Sequence, residues 1–122
     1  RQFITRKAVN NDVLEKIESI LDHYFDSGQS LRAGVPTVQF LAEQLHISSG
    51  YLSDMLRSLI GQNARQYIHL KLVEKAKEKL SSSTLSVSEI AYALGFEHAQ
   101  SFSKLFKQKT KATPLEFRER YN

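Results

Sequence analysis

The 122-residue sequence contains no cysteine and no tryptophan, and it has only two prolines and five glycines. The absence of cysteine excludes disulfide bonds, thiolate zinc sites and a cysteine nucleophile. The four histidines do not provide a metal site instead, because each lies more than twenty residues from the next and no two share a helical face at ligand spacing. We therefore expect no metal ion and no other cofactor.

No hydrophobic run approaches the ~18 residues that a membrane-spanning helix needs. The first residues, Arg1 to Ile4, also lack the basic segment, apolar stretch and small-residue cleavage site of a signal peptide. The sequence therefore predicts a cytoplasmic protein with no membrane partner. Because the chain opens on Arg1 rather than on methionine, we expect it to be a fragment of a longer protein.

Basic side chains are concentrated near the end of the sequence. The chain carries 17 lysine and arginine residues against 13 acidic residues, which gives a net charge of +4 with neutral histidines. Residues 1–36 are neutral overall, whereas residues 98–122 hold six basic and two acidic side chains. A local excess of this kind is typical of a nucleic-acid-binding surface, although lysine-rich helix faces are also common as plain solvated surface.

Apolar residues recur at steps of three and four along almost the whole chain, and no segment shows the alternation of a strand. The sequence therefore predicts an all-α domain. A first helix with a structural role is expected from Asn11, as its N-cap, to about Asp26. A loop containing Gly28, Gly34 and Pro36 should follow it.

Six further helices are expected at about 38–45, 48–60, 63–80, 87–94, 98–109 and 114–122. Thr37, Ser86 and Thr113 are placed to cap three of them. The helix at 63–80 has an apolar residue on one face every four positions and is predicted to be a connector. Its charged residues Lys75, Lys77, Glu78 and Lys79 are expected to point outward.

The shorter helices form an internal repeat. Residues 38–47 match residues 87–96 position by position, with apolar residues and an alanine in the same places. One added residue, Glu97, makes the offset 50 for the helices that follow. Each copy consists of a short helix, a tight turn and a second helix. Gly95 occupies one turn and His46 the other, and both residue types are enriched at positive φ.

In each copy, the second helix carries small and polar side chains opposite its apolar face, where a bundle helix would usually carry salt-bridged lysine and glutamate. They are Ser49, Gly50, Ser53, Asp54 and Arg57 in the first copy, and Gln100, Ser103, Lys104 and Lys107 in the second. Short side chains let a helix enter the ~12 Å wide major groove, where glutamine can pair with adenine and lysine with guanine. The repeat therefore favours binding to double-stranded DNA.

The second copy carries the most specific motif. Residues 88–96 are SEIAYALGF, residues 101–107 are SFSKLFK and residues 113–118 are TPLEFR. Together with LAEQLHIS at 41–48, these segments resemble the C-terminal DNA-binding domain of the AraC/XylS family of bacterial transcription regulators. The resemblance extends from about Thr37 to Tyr121.

This resemblance implies two helix-turn-helix units joined by a long connector helix. The extra N-terminal helix predicted from the helical period precedes them, and residues 1–30, which are less typical of the family, could belong to a linker or to an interface with an upstream part. The resemblance divides the chain into an N-terminal helix and linker at 1–36 and a DNA-binding domain at 37–122. Within that domain, the first unit is expected at 37–62, the connector at 63–80 and the second unit at 81–122. Both second helices should enter successive major-groove faces, about one helical turn or ~34 Å apart, and RNA polymerase is implied as a second partner.

Base contacts in the family fall on positions that correspond here to Gly50, Ser53 and Asp54, and to Ala99, Gln100, Ser103 and Lys104. The sequence departs from the family pattern at Gly50, where a larger side chain is frequent, and at Asp54, where a basic one is frequent. We therefore expect the second unit to dominate base recognition. Asp54 is predicted to pair with Arg57 on the helix surface.

Several other side chains are expected to be structural. Tyr51, Tyr67, Tyr92 and Phe96 are predicted to pack in or against the core rather than to stack on bases. His98 is predicted to begin a helix, near a phosphate, rather than to act as a switch.

Two other classes of function fit less of the sequence. A helical protein-interaction module could use the face with Lys104 and Lys107 to bind an acidic partner, and salt-dependent binding to duplex DNA would separate this alternative from DNA binding. An enzyme is not expected, because the sequence has no nucleophile elbow, glycine-rich phosphate loop or paired-carboxylate motif.

Overall fold

The structure, a computed structural model, describes residues 2–120, with their side chains from residue 12 onward. This part of the chain contains eight helices and no strand, so the all-α prediction is confirmed. The helices are α1 (Gln2–Asp26), α2 (Gln29–Ala33), α3 (Val38–Leu45), α4 (Ser49–Ile60), α5 (Ala64–Ser82), α6 (Val87–Ala93), α7 (Ala99–Thr110) and α8 (Pro114–Arg120). Within the same range, no helix combines the length and the apolar character needed to cross a membrane.

Helix α1 begins well before the position predicted from the sequence. Asn11 lies inside the helix and is not its N-cap, so that prediction was wrong. Asparagine is favourable as a cap but costs only a few tenths of a kcal/mol within a helix. Since residues 2–10 contain neither glycine nor proline, nothing in the local sequence stops the helix at residue 11.

The segment predicted as a loop after α1 contains the five-residue helix α2. Gly28 has a φ of 82° and Gly34 a φ of 92°, so a glycine with positive φ flanks α2 at each end. Between these two glycines there are too few residues to show a helical period. The loop prediction was therefore wrong for residues 29–33.

The other helix ends agree with the sequence to within two residues, except that the predicted end of the last helix, at residue 122, lies outside the described residues. The side chains of Thr37, Ser48, Asn63, Ser86 and Thr113 each accept a hydrogen bond from the backbone N–H three residues further on. In the last three of these caps, a glutamine or glutamate accepts a bond from the capping residue's own N–H and closes a capping box. The turn residues His46 and Gly95 have the predicted positive φ, at 59° and 104°.

Helix α5 lies at the centre of the molecule. Its apolar residues, spaced by four, are at most 3% exposed: Ala64, Ile68, Leu72, Ala76 and Leu80. It packs against α3 and α4 of the first unit and against α6, α7 and α8 of the second. Its 19 residues span about 28 Å at 1.5 Å per residue. Both units therefore complete their cores against the same helix.

Two lysines of α5 face α1. Lys75, which the sequence analysis placed on the outward face, is only 11% exposed and lies 3.2 Å from Asp22 and 3.6 Å from Asp26. The nearby Lys71 is 6% exposed, and its Nζ lies 3.0 Å from Glu18 Oε2 and 3.2 Å from Asp22 Oδ1. The outward prediction for Lys75 was wrong because α1 covers the lysine's stem while its carboxylates meet the charged end.

The pKa values of Asp22 and Lys71 are both shifted in the direction that favours the charged form of the side chain. Burial acts to raise the pKa of Asp22, but its contacts with Lys75 and Lys71 outweigh burial and hold that pKa below its ordinary value. Burial likewise acts to lower the pKa of Lys71, but the carboxylates of Glu18, Asp22 and Glu74 outweigh it and raise the pKa. The contact between α1 and α5 is therefore ionic at neutral pH.

The turn of the second unit lies directly against the backbone that follows α2. A Cβ atom on Gly95 would overlap the carbonyl carbon of Gly34 and would lie 2.5 Å from the backbone nitrogen of Val35. Gly95 is therefore required for two reasons, its positive φ and the absence of a side chain. At Gly61 only the first reason applies, because its φ is 74° but a Cβ atom there would meet nothing within 4 Å.

We predict that Lys71→Met lowers the free energy of unfolding by about 1–2 kcal/mol at pH 7, because it leaves three carboxylates without their common cation. Lys16→Met, at an exposed position of α1, should change it by less than about 0.5 kcal/mol. Folding lowers the pKa of Asp22, so its carboxylate stabilises the fold above about pH 4 and loses this effect as the pH falls further. Urea unfolding should show the Lys71→Met deficit shrinking toward pH 2. A deficit that is constant with pH would show that packing, not charge, holds α1.

We predict that Gly61→Ala lowers the free energy of unfolding by about 1–2 kcal/mol, the usual cost of left-handed backbone for a residue with a Cβ atom. Gly95→Ala should cost about 1–3 kcal/mol more than Gly61→Ala, because its methyl group must displace backbone as well. Denaturant unfolding of the two variants measures the difference. Equal losses would contradict a close approach of residues 34–35 to the turn.

Candidate nucleic-acid interface

Helices α4 and α7 are the equivalent second helices of the two units, and each has twelve residues. Helix α4 buries Leu52 and Leu56, and α7 buries Phe102 and Phe106, all at 2% exposure or less. At 100° per residue, these buried pairs fix which side of each helix faces away from the core. We call that outward side the reading face.

The side chains that the sequence analysis predicted lie on the reading faces, except for Ser49 and Ala99, which lie in the first turns of the two helices, where Ala99 packs partly against the core. The predicted side chains are Ser49, Gly50, Ser53, Asp54 and Arg57 on α4, and Ala99, Gln100, Ser103, Lys104 and Lys107 on α7. Each member of the first set has its counterpart in the second at an offset of 50. Ser53, Ser103 and Ala99 are half-buried, and the other seven residues are exposed. Each face therefore has a low centre that lets the helix backbone come close to a bound surface.

The reading face of α4 is nearly neutral. Its only acidic side chain, Asp54, forms an ion pair with its only basic side chain, Arg57, and the distance from Arg57 NH1 to Asp54 Oδ1 is 3.1 Å. The predicted pair between Asp54 and Arg57 is thus confirmed. Both side chains are more than half exposed, so this pair adds little to stability.

The reading face of α7 is strongly positive. This face carries Lys104 and Lys107, and α7 contains no acidic residue. The third lysine of the helix, Lys109, follows the buried Phe102 by seven residues and so lies on the other side of the helix. Lys111 adds a fourth exposed lysine at the C-cap, where it has a φ of 69°. The sequence analysis did not assign Lys109 or Lys111 to the site, although both belong to the basic excess of residues 98–122. The second unit therefore presents the stronger attraction for an anionic polymer.

One basic residue of the second unit has a structural contact instead. Arg118 Nε donates to the carbonyl oxygen of Leu80 at 3.0 Å, and its NH2 donates to that of Ser83 at 3.4 Å. These bonds join α8 to the end of α5. A count of basic residues alone therefore overstates the charge that is available to a ligand.

The predictions for aromatic residues were confirmed for two of the four. Tyr67 and Phe96 pack partly buried against the core. Tyr51 is 61% exposed and Tyr92 49% exposed, so their assignment to the core was wrong. Tyr51 directly precedes the buried Leu52, and Tyr92 directly follows the buried Ala91. A step of one residue along a helix turns the side chain by 100°, away from the buried face.

His98 begins α7, as predicted, with an extended φ of −129°. Its side chain is exposed and makes no capping hydrogen bond. The first turn of α7 therefore keeps free N–H groups near the reading face. Among the described side chains, no three or more histidines and acids lie close enough together to hold a metal ion.

Comparison with known proteins gives the family. A model of a helix-turn-helix domain matches residues 41–120. The Escherichia coli (strain K12) protein YijO, an uncharacterized HTH-type transcriptional regulator, is 31% identical over 90 residues, which cover 74% of this chain and 32% of that protein. The chain spans a third or less of the length of the first curated regulators that it matches.

Two solved structures have similar folds. The C-terminal domain of the two-component response regulator yesN from Fusobacterium nucleatum is 34% identical, with a TM-score of 0.73 over 88% of this chain and 98% of that one. The DNA-binding domain of AdpA, a global transcriptional factor solved with a target DNA, shares the fold at 24% identity, with a TM-score of 0.73 over 88% of this chain and 91% of that one. The chain belongs to the AraC/XylS helix-turn-helix family of DNA-binding transcription regulators.

We predict that Asp54→Ala raises affinity for all duplexes by up to about 1 kcal/mol, and more at low salt, because it removes a negative charge near phosphate and frees Arg57. Glu15→Ala, at an exposed position of α1, removes the same charge as a control. Titrations of a selected site and of random duplex at two salt concentrations measure both effects. If Asp54 instead accepts a hydrogen bond from a cytosine N4, the variant will lose affinity for the selected site while gaining on random DNA.

Proposed function

We propose that this domain recognises its DNA sequence mainly through α7, while α4 enters the adjacent major-groove face and chiefly positions the protein. The observation that carries this proposal is the contrast between the two reading faces. They have the same shape and the same spacing of residues, but one is neutralised by the pair of Asp54 and Arg57 and the other carries only positive charge.

The side chains of α7 support a division of roles. Ala99 and Ser103 are short and half-buried, so they let the helix approach the floor of the groove. Gln100 and Lys104 are exposed near the first half of the helix and can reach base edges, glutamine toward adenine and lysine toward guanine. Lys107, one turn further along, is better placed for a phosphate, which fixes position without reporting sequence.

The whole regulator is proposed to contain more than this domain. The curated regulators that it matches are at least about three times longer than the matched segment, which supports an additional sensor or effector domain. By family resemblance we propose RNA polymerase as a second partner. Since bacterial chromosomes lie in the cytoplasm, binding to them would place the protein there.

Selection from a random duplex pool tests the proposed function. The chain should enrich a DNA sequence with two contacted segments about one turn apart, and its affinity for that sequence should fall steeply with salt. The stronger base preference should lie in the segment bound by α7. Enrichment of no sequence, together with binding to an acidic protein, would favour the helical protein-interaction module instead.

We predict that Lys104→Ala weakens binding to the selected site by about 1–3 kcal/mol and relaxes preference at one base position. Lys107→Ala should lower affinity alike on all sequences and reduce the salt slope by about 0.9, the share of one phosphate contact. Lys16→Ala on α1 is the charge-matched control. Gel-shift titrations over several salt concentrations separate the two effects, and equal losses of base preference in both variants would contradict the division of roles.

A further inference from the structure

The short helix α2 and the two residues that follow it, Gly34 and Val35, contact the second unit. We call residues 29–35 the brace. Ser30 is 1% exposed, and its hydroxyl donates to the carbonyl oxygen of Ala93 at 2.7 Å. Ala93 is the last residue of α6, where carbonyl groups lack a partner within the helix. This bond therefore fastens α2 to the helix that precedes the turn of the second unit.

The other end of the brace is bonded to α1, which in turn contacts the first unit. The hydroxyl of Tyr24 on α1 donates to the carbonyl oxygen of Gly34 at 2.7 Å. The ring of Tyr24 is 3% exposed and lies 4.9 Å from the ring of Phe40 on α3. Gly34 in turn lies against Gly95, so closely that Gly95 has no room for a Cβ atom. A continuous set of contacts thus runs from α3 through α1 and the brace to the turn before α7.

We propose that the brace fixes the placement of α7 relative to α4, and thereby the spacing between the two DNA segments that the domain accepts. This inference rests on the proposed function. Both units pack on α5. The brace adds a second connection between them, away from α5, and two connections restrict their relative rotation more than one.

The helix-turn-helix model covers residues 41–120, and the brace precedes this range. One base pair added between two DNA segments moves them apart by ~3.4 Å and rotates them by about a tenth of a turn. A domain whose reading helices are fixed should therefore discriminate between such sites, and one whose helices can move should not.

Two matched serine variants test this in DNA binding. Ser30→Ala removes the bond to Ala93, and Ser81→Ala removes a bond of similar length, 2.9 Å, from an exposed serine to Lys77 within α5. Each is titrated against the selected site and against the same site with one base pair added or removed between the contacted segments. The unaltered chain and Ser81→Ala should prefer the original spacing by about tenfold or more. In Ser30→Ala this ratio should fall toward one.

A distance measurement tests the same inference without DNA. The chain has no cysteine, so Ser58→Cys on α4 and Gln108→Cys on α7, both at exposed positions, accept spin labels specifically. The distance distribution between the labels should be narrow in this double variant and clearly broader when Ser30→Ala is added. Circular dichroism should show the same helical content in all variants.

A purely stabilising brace gives a different result. Ser30→Ala would then lower the melting temperature but leave both the spacing ratio and the width of the distance distribution unchanged, and this outcome would overturn the inference while the proposed function stands. If the unaltered chain enriches no DNA sequence, the proposed function fails and the inference about spacing fails with it.

Discussion

The fold depends on the buried stripe of α5. Helices of 7 to 12 residues, such as α3, α4, α6 and α7, are marginal in water by themselves and need an apolar surface to cover. The stripe supplies it for both units, and its small members Ala64 and Ala76 are fully buried, where large side chains would hold neighbouring helices away. The two reading helices therefore owe their positions to the same 19-residue helix.

Because each reading helix is held by two buried residues four apart, its rotation is fixed by the core and not by its outward side chains. Leu52 and Leu56 on α4 have the same places as Phe102 and Phe106 on α7. The outward positions are consequently free to differ in chemistry, and they do. Asp54 stands where α7 has Lys104, so the repeat conserves shape while its electrostatics diverge between the two units.

Features that depend on local sequence could be predicted, and features that depend on a distant partner could not. A cap such as Ser86 needs only a glutamate three residues on, and the positive φ of His46 follows from its place in a repeated turn. The burial of Lys75 depends on carboxylates some fifty residues away, and α2 is too short to show a period. Of the candidate site, the exposure of Gly50, Asp54, Gln100 and Lys104 could be predicted, because helical period alone orients these residues, but the exposure of Tyr51 could not. Their contact with DNA stays a prediction.

Several of the contacts that the sequence did not predict attach residues 12–36 to the rest of the domain. Ile17 and Leu21 are fully buried in the shared core, Asp22 pairs with two lysines of α5, and Ser30 bonds to α6. The division of the chain at residue 36 stays a prediction. The contacts of α1 and α2 show, however, that these helices pack into the domain and are not a separate linker. A displacement of α1 would break its ion pairs with α5 and, through the bond from Tyr24 to the brace, would disturb the contact of the brace with the second unit. The N-terminal helices are therefore connected to the helices that carry the two reading faces.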